Sequence, residues 1–308
     1  MSIRFIVVLL LAACCAAQAQ KPTFTDLQYG PHERQKLDFW SADTKEPAPL
    51  VIYVHGGGFE HGDKSRATEG RNGSDVKDCL RNDVSFASIN YRFLDDAPLQ
   101  DIVTDTARAI QYLRSRAADL NIDKNRIGLY GESAGAGSSL WVGLHDDLAD
   151  PASSDPVARE STRVAAIGAL APQSTYDFAQ WPSLFGLNDN IWYLSAVYVG
   201  PRYYRLDTSK LKKPEGEETR KRLDMLALIT PDDPPVFVRC YQDDTEVSTW
   251  DDMLHHPRHA EVLQERLEAA GIENVVVLKD MPKSQKSEAV DFLMQHLKAP
   301  RETTAAVR

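Results

Sequence analysis

The stretch Ile127-Gly128-Leu129-Tyr130-Gly131-Glu132-Ser133-Ala134-Gly135 limits the possible architectures more than any other part of the chain. Residues suited to a buried strand run into Gly-x-Ser-x-Gly, and a helix-compatible segment follows. The sequence therefore predicts a tight strand-to-helix turn with Ser133 at its apex, the arrangement called a nucleophile elbow. Such a turn strains the serine backbone and presses its neighbours together, which gives Gly131 and Gly135 a steric reason to lack a side chain. It also lifts the Ser133 hydroxyl above the sheet edge and aims the N–H of Ala134 into the same space. A five-residue pattern arises by chance in unrelated chains, so a plain Gly-rich turn stays open until partners are found.

One partner lies about eighty residues earlier. Residues 50–54, Leu-Val-Ile-Tyr-Val, are continuous and β-branched enough for a strand buried on both faces. They end at His55-Gly56-Gly57-Gly58-Phe59. Three glycines directly after a buried strand let main-chain N–H groups face a cavity with no side chain in the way, which is one half of an oxyanion hole. Gly57, Gly58 and Ala134 are the candidate donors. Ahead of this strand, residues 25–29 and 36–40 flank a Gly-Pro turn and read as a hairpin.

The two motifs, in this order and at this separation, resemble the α/β-hydrolase superfamily, and within it the HGGG-type carboxylesterases and lipases, in particular acetyl-xylan and feruloyl esterase-like members. Gly62-Asp63-Lys64-Ser65, Ala87-Ser88-Ile89-Asn90-Tyr91-Arg92 and Asp123-Lys124-Asn125-Arg126-Ile127 support the likeness, which runs roughly from Tyr29 to Leu297 and is weak in the middle. It implies an α/β fold with a doubly wound, mostly parallel sheet in a single domain over residues 21–298, followed by a tail, 299–308. It also implies a Ser-His-Asp triad and no cofactor.

The intervening segments fit that expectation. Residues 84–90 read as a second buried strand, and Ile102, Val103, Ala107, Ile110 and Leu113 recur at helical spacing, as a crossover helix requires. A helix over 139–144 and a strand over 164–170 follow. From about 171 to 235 the periodicity fades, and Tyr176, Phe178, Trp181, Phe185, Trp192, Tyr193, Tyr198, Tyr203 and Tyr204 crowd together. Such an insertion between late strands is either a lid or pocket wall, or a satellite core under a long loop.

The strand expected over 234–241 delivers the triad acid in the family. By its place before Thr245-Glu246-Val247, Asp244 matches that carboxylate, with Asp243 in reserve. A carboxylate there sets the imidazole tautomer and stabilises the imidazolium. The family's histidine lies in the loop after the next strand, 275–278, but that loop, 279–286, contains no histidine. Without a base, Ser133 is an ordinary alcohol. The alternative source is His255-His256-Pro257-Arg258-His259, beyond the strand that carries Asp244. His256, anchored before Pro257 at a helix start, is the expected base, and His255 is a close second. His55 is expected to brace the oxyanion loop, His61 and His145 lie near motif edges, and His296 sits in the last helix. The spacing of His255, His256 and His259 matches no strong metal-ligand pattern.

A formal charge of −10 argues against a polyanionic partner such as nucleic acid. Arg4, a short apolar run and Ala17-Gln18-Ala19 read as an export signal over 1–19, although Leu11-Ala12-Ala13-Cys14 also suits a lipoprotein signal ending at 13, with lipid on Cys14. Beyond the leader only Cys79 and Cys240 remain, both in core-like segments and expected as separate buried thiols rather than a bridge. Two functions stand: an exported serine esterase acting on small-molecule or polysaccharide esters through Ser133, Asp244 and His256, or an impaired hydrolase-fold protein that binds an ester or glycan.

Overall fold

The computed structural model describes residues 20–69, 72–187, 199–278 and 288–298. The leader with Cys14, the aromatics Trp192, Tyr193 and Tyr198, the loop 279–286 and the tail lie outside the described residues. Eight strands form one sheet in the order β1-β2-β4-β3-β5-β6-β7-β8. β1 (Phe24–Gln28) and β2 (Lys36–Trp40) are the predicted hairpin, antiparallel to each other and to β4 (Ser85–Ile89). β3 (Ala48–Val54), β4, β5 (Ile122–Glu132), β6 (Ala166–Leu170), β7 (Val236–Arg239) and β8 (Asn274–Val277) run parallel. This is the α/β-hydrolase architecture that the motif order implied.

Central strands read as unbroken apolar runs because helices cover both faces of the sheet. In β3, Leu50, Ile52 and Val54 enter one core while Val51 and Tyr53 enter the other, since successive side chains of a strand point to opposite faces. On the first face lie α2 (Leu99–Ser115), whose predicted stripe Ile102, Val103, Ala107, Ile110 and Leu113 is buried, and α3 (Ala134–Gly143). The Pro257–Ala269 helix joins them through Leu263 and Leu267. The second face is covered by α1 (Asn72–Arg81) and the Glu288–Lys298 helix, through Val76, Leu293 and Leu297. Cys79 and Cys240 are free, buried, and belong to different cores, so the sheet separates them.

The segment between β6 and β7 contains only short helical pieces, Phe178–Gln180, Trp181–Leu184, Gly200–Tyr204, Thr208–Lys210, Pro214–Lys221 and Met225–Leu228 among its described residues. Its aromatic side chains replace the missing periodicity as the organising force. Phe178 is the hub, with ring centroids 4.9 Å from Trp181, 5.2 Å from Tyr203 and 5.6 Å from Trp250. Trp181 and Trp250 stack at 4.7 Å. The rings are continuous with the main core, and the same cluster walls a cavity, so the two readings of this insertion describe its two sides.

Candidate active site

Parallel strands bring their carboxyl ends to one edge, and there β5 turns into α3 at Ser133. The Ser133 backbone has φ 52° and ψ −117°, a conformation that costs a residue with a Cβ roughly 1–3 kcal/mol. Packing over-determines it. The Ser133 N–H donates to the Leu170 carbonyl at the end of β6 (2.8 Å), and its own carbonyl accepts from the Gly137 N–H (3.0 Å). A methyl on Gly135 would stand 2.0 Å from the Val54 carbonyl oxygen, and one on Gly131 would stand 2.4 Å from Gly135 itself. Both glycines are therefore demanded by main chain, which cannot move aside without opening the sheet.

The glycine triplet lies against this turn. A Cβ on Gly56 would approach Ser133 Cβ to 3.3 Å and the Glu132 carbonyl oxygen to 2.8 Å. Gly57 and Gly58 have φ of 125° and 62°, and the Gly57 carbonyl turns back to accept from Glu60 and His61 N–H (3.0 and 3.1 Å). His55 holds the loop's root: its Nδ1 lies 2.8 Å from the Gly56 carbonyl oxygen, and its ring stacks on Tyr91 at 4.4 Å. The Tyr91 hydroxyl donates to the His55 carbonyl (2.7 Å). Burial pushes the His55 imidazole down to about 4, so it stays neutral. Ala134 opens α3, and a first-turn N–H has no carbonyl one turn back to bind. Gly57, Gly58, Ser133 and Ala134 together line a cavity of about 520 Å³, within the range of small-ligand sites.

The histidine facing Ser133 is His255, with Nε2 3.3 Å from Oγ. His256, the expected base, is turned away. It is the N-cap of the Pro257–Ala269 helix: Nδ1 accepts from the Arg258 N–H (3.0 Å), and Nε2 meets the Thr245 carbonyl (3.1 Å) and Asp244 (3.2 Å). The anchoring before Pro257 that singled it out in the sequence is what removes it from the serine. Asp244 goes with it. That carboxylate is 81% exposed and pairs with His256, and its reserve Asp243 is exposed too. The acceptor facing His255 Nδ1 is instead the main-chain carbonyl of Ala171, at 2.9 Å. Burial lowers the His255 pKa from its ordinary value, while the Ala171 carbonyl and the charge of Glu132 partly oppose that shift.

His259 Nδ1 accepts from the Ser174 N–H (3.2 Å), so the three clustered histidines face three different partners. Among the described residues no group of three His, Cys, Asp or Glu side chains gathers to hold a metal ion. His61 lines the cavity, His145 contacts the Asp146 carbonyl, and His296 lies 3.5 Å from Glu273. The cavity's far wall is Phe59, Tyr176, Phe178, Trp181, Tyr203 and Trp250. Gln173, also on the wall, had no signal in the sequence. His255 had one: a residue directly before a helix-initiating proline is the one claimed by the cap, which leaves its neighbour available.

Among the described residues no helix is long and apolar enough to cross a membrane. Solved structures similar to this chain include a truncated carbohydrate esterase from gut microbiota, with TM-score 0.69 at 18% identity over 90% of this chain and 96% of that one. Another is the acetyl ester-xyloside bifunctional hydrolase from Caldicellulosiruptor lactoaceticus, with TM-score 0.58 at 21% identity over 85% of this chain and 84% of that one. At these identities the likeness is one of fold. In sequence, a probable isoprenylcysteine alpha-carbonyl methylesterase of Arabidopsis thaliana, ICMEL2, is 29% identical over 41% of this chain and 32% of its own length. Carboxylesterase NlhH of Mycobacterium tuberculosis is 27% identical over 37% and 34%. The matched part thus spans about a third of each of these curated relatives. The BD-FAE family model matches residues 37–251, from β2 through the glycine loop, the elbow and the aromatic insertion, and the chain belongs to that α/β-hydrolase family.

Proposed function

We propose that the chain is an exported serine esterase that hydrolyses small carboxylic esters, including acyl groups on polysaccharide, through an acyl-enzyme. The observation that carries this reading is the 3.3 Å approach of His255 Nε2 to Ser133 Oγ, at an elbow packed against the glycine triplet. In this reading His255 takes the Ser133 proton as Oγ attacks the ester carbonyl. The N–H groups of Gly57, Gly58 and Ala134 receive the oxyanion, and His255 returns the proton to the leaving alcohol. Water then repeats the sequence on the acyl-enzyme. An apo serine–histidine contact slightly longer than a good hydrogen bond is ordinary before substrate closes the site. The esterase names of the relatives and the carbohydrate esters in the names of the structural neighbours support the substrate class, and the leader-like residues support export.

The test is hydrolysis of p-nitrophenyl acetate by wild type and Ser133→Ala, with fluorophosphonate labelling of the serine. Turnover and labelling that both vanish in the folded variant are expected; equal turnover in the two proteins refutes the reading. A second reading, binding of an ester or glycan without turnover, is favoured by one feature, the carbonyl in place of a carboxylate at His255 Nδ1. Folded wild type that neither turns over nor labels would select it.

A further inference from the structure

The orientation of His255 follows from two residues outside the Gly-x-Ser-x-Gly and His-Gly-Gly-Gly motifs. Resting on the proposed Ser133–His255 pair, we propose that the Ala171 main-chain carbonyl replaces the triad carboxylate and that Gln173 is the positioning residue that keeps His255 on it. A carbonyl oxygen only accepts, so the 2.9 Å contact places the ring hydrogen on Nδ1. Nε2 then presents its lone pair to Ser133, the tautomer that a general base needs.

The carbonyl is built into the same sheet edge as the serine. Leu170, the last residue of β6, accepts the Ser133 N–H, and Ala171 directly follows it with its own N–H on the Arg239 carbonyl of β7 (2.7 Å). Ala171 has φ 48°, a left-handed conformation that is strained for a non-glycine residue. Strain of that kind persists where surrounding structure imposes it, and here it ends the strand and leaves the carbonyl facing the imidazole. One short turn thus registers both members of the pair.

Gln173 is 5% exposed, and its side-chain amide donates to the Leu254 carbonyl at 2.6 Å, fixing the main chain one residue before the imidazole. From the other side, the Cys240 thiol donates to the His255 carbonyl at 3.3 Å. The Gln173 amide nitrogen also lies 3.2 Å from Nδ1. Nδ1 already gives its hydrogen to Ala171, so the Gln173 amide packs beside the ring while its own donated bond goes to the Leu254 carbonyl. Among the described residues the titratable groups around His255 are Glu132 at the end of β5, Glu60, His61, Tyr176, Tyr203 and Asp251 on the cavity wall, Cys240, and His256 and His259 on its own segment. Glu132 is the acid whose field reaches the ring, and burial outweighs it.

The tests are the ¹⁵N NMR signature of the His255 ring and the pH dependence of p-nitrophenyl acetate hydrolysis by the full chain. The wild-type ring is expected to carry its proton on Nδ1. Gln173→Met, which keeps the volume but loses the donor, is expected to lower kcat about tenfold or more with KM within about threefold, a loss of orientation rather than of binding. Gln173→Glu places a carboxylate beside Nδ1 and is expected to raise the midpoint of the acid limb of kcat/KM by roughly one pH unit. A wild-type ring protonated on Nε2, a Gln173→Met enzyme with unchanged kcat, or an unmoved acid limb in Gln173→Glu overturns the assignment. The NMR arm needs no variant to fold and no turnover. If the ring is protonated on Nδ1 while His255→Ala retains full activity, the assignment of the carbonyl stands and the esterase mechanism falls.

Discussion

The serine side of the cavity and the histidine side are held by different kinds of force. Around Ser133 the contacts are main chain on main chain: Gly135 against the Val54 carbonyl, Gly131 against Gly135, and Gly56 against the Glu132 carbonyl. Around His255 they are side chains reaching main chain across long separations, Gln173 to the Leu254 carbonyl and the imidazole to the Ala171 carbonyl, 81 and 84 residues apart in sequence. Close backbone approach forbids every residue but glycine, whereas a side-chain bond can be met by several residue types from several places. The first kind of site is rigid in residue identity, and the second is free to be rebuilt.

The largest effect should come from the rigid side. Ser133→Ala removes the attacking atom and leaves only binding and the oxyanion pocket, so kcat is expected to fall by about 10⁴-fold or more on p-nitrophenyl acetate. The melting temperature should barely move, because alanine keeps the backbone's packing. A Ser133→Ala enzyme within tenfold of wild type would mean that the rigid side does no chemistry and the comparison is empty.

On the rebuilt side, adjacent histidines should separate cleanly. His255→Ala is expected to lower kcat by about a thousandfold or more, since the pair's general base is lost. His256→Ala should leave kcat within about threefold while costing roughly 1 kcal/mol of unfolding free energy, as loss of an N-cap does. Kinetics and urea melts on the two variants check this, and reversed results would return the base to His256.

That pair also shows what the sequence could and could not convey. Ser133, Gly57, Gly58 and Ala134 were legible because steric exclusion leaves a local record: the glycines are spelled out at fixed offsets. The sheet was legible for a similar reason, since two-sided burial makes β3, β4, β5 and β6 read as apolar runs. The choice between His255 and His256 depended on which ring the helix start captures, and the sequence marked the capture at Pro257 without saying that it turns that ring away from Ser133. Gln173 and the Ala171 carbonyl left no trace, because a main-chain acceptor exists at every position and only the tertiary path decides which one meets an imidazole.

Each side also buries a neutral histidine, and acid should weaken both. His55 under the glycine loop is pushed down to about 4 and His259 behind the insertion to about 3, in each case chiefly by burial. Their folded-state values lie below the unfolded value near 6.5, so the unfolded chain binds more protons between these limits and stability falls as pH drops. Between pH 7 and pH 5 the linkage is worth about 1.8 kcal/mol for each histidine. Denaturant unfolding at pH 7 and pH 5 measures it, and His259→Gln should flatten the slope if the rebuilt side contributes. Equal stability at the two pH values would show that neither ring is held neutral by burial in solution.

The smallest effect is expected at Asp244, and its smallness is informative. A triad carboxylate is buried against its imidazole, and replacing it costs orders of magnitude because tautomer and charge are lost together. Asp244 is exposed and bonded to His256, an imidazole already committed to a helix cap. A hydrogen bond from that ring to an exposed carboxylate is worth no more than an exposed ion pair, up to about 1 kcal/mol. Asp244→Asn should therefore change kcat/KM by less than about threefold, leave the acid limb where it is, and lower stability by at most about 1 kcal/mol. A loss of a hundredfold or more would mean that Asp244 reaches His255 in the working enzyme, and the two sides of the cavity would then be more alike than their contacts indicate. Retained activity would leave the Ala171 carbonyl as the acceptor that orients the base, and would place this chain's departure from its family in one main-chain turn rather than in a missing acid.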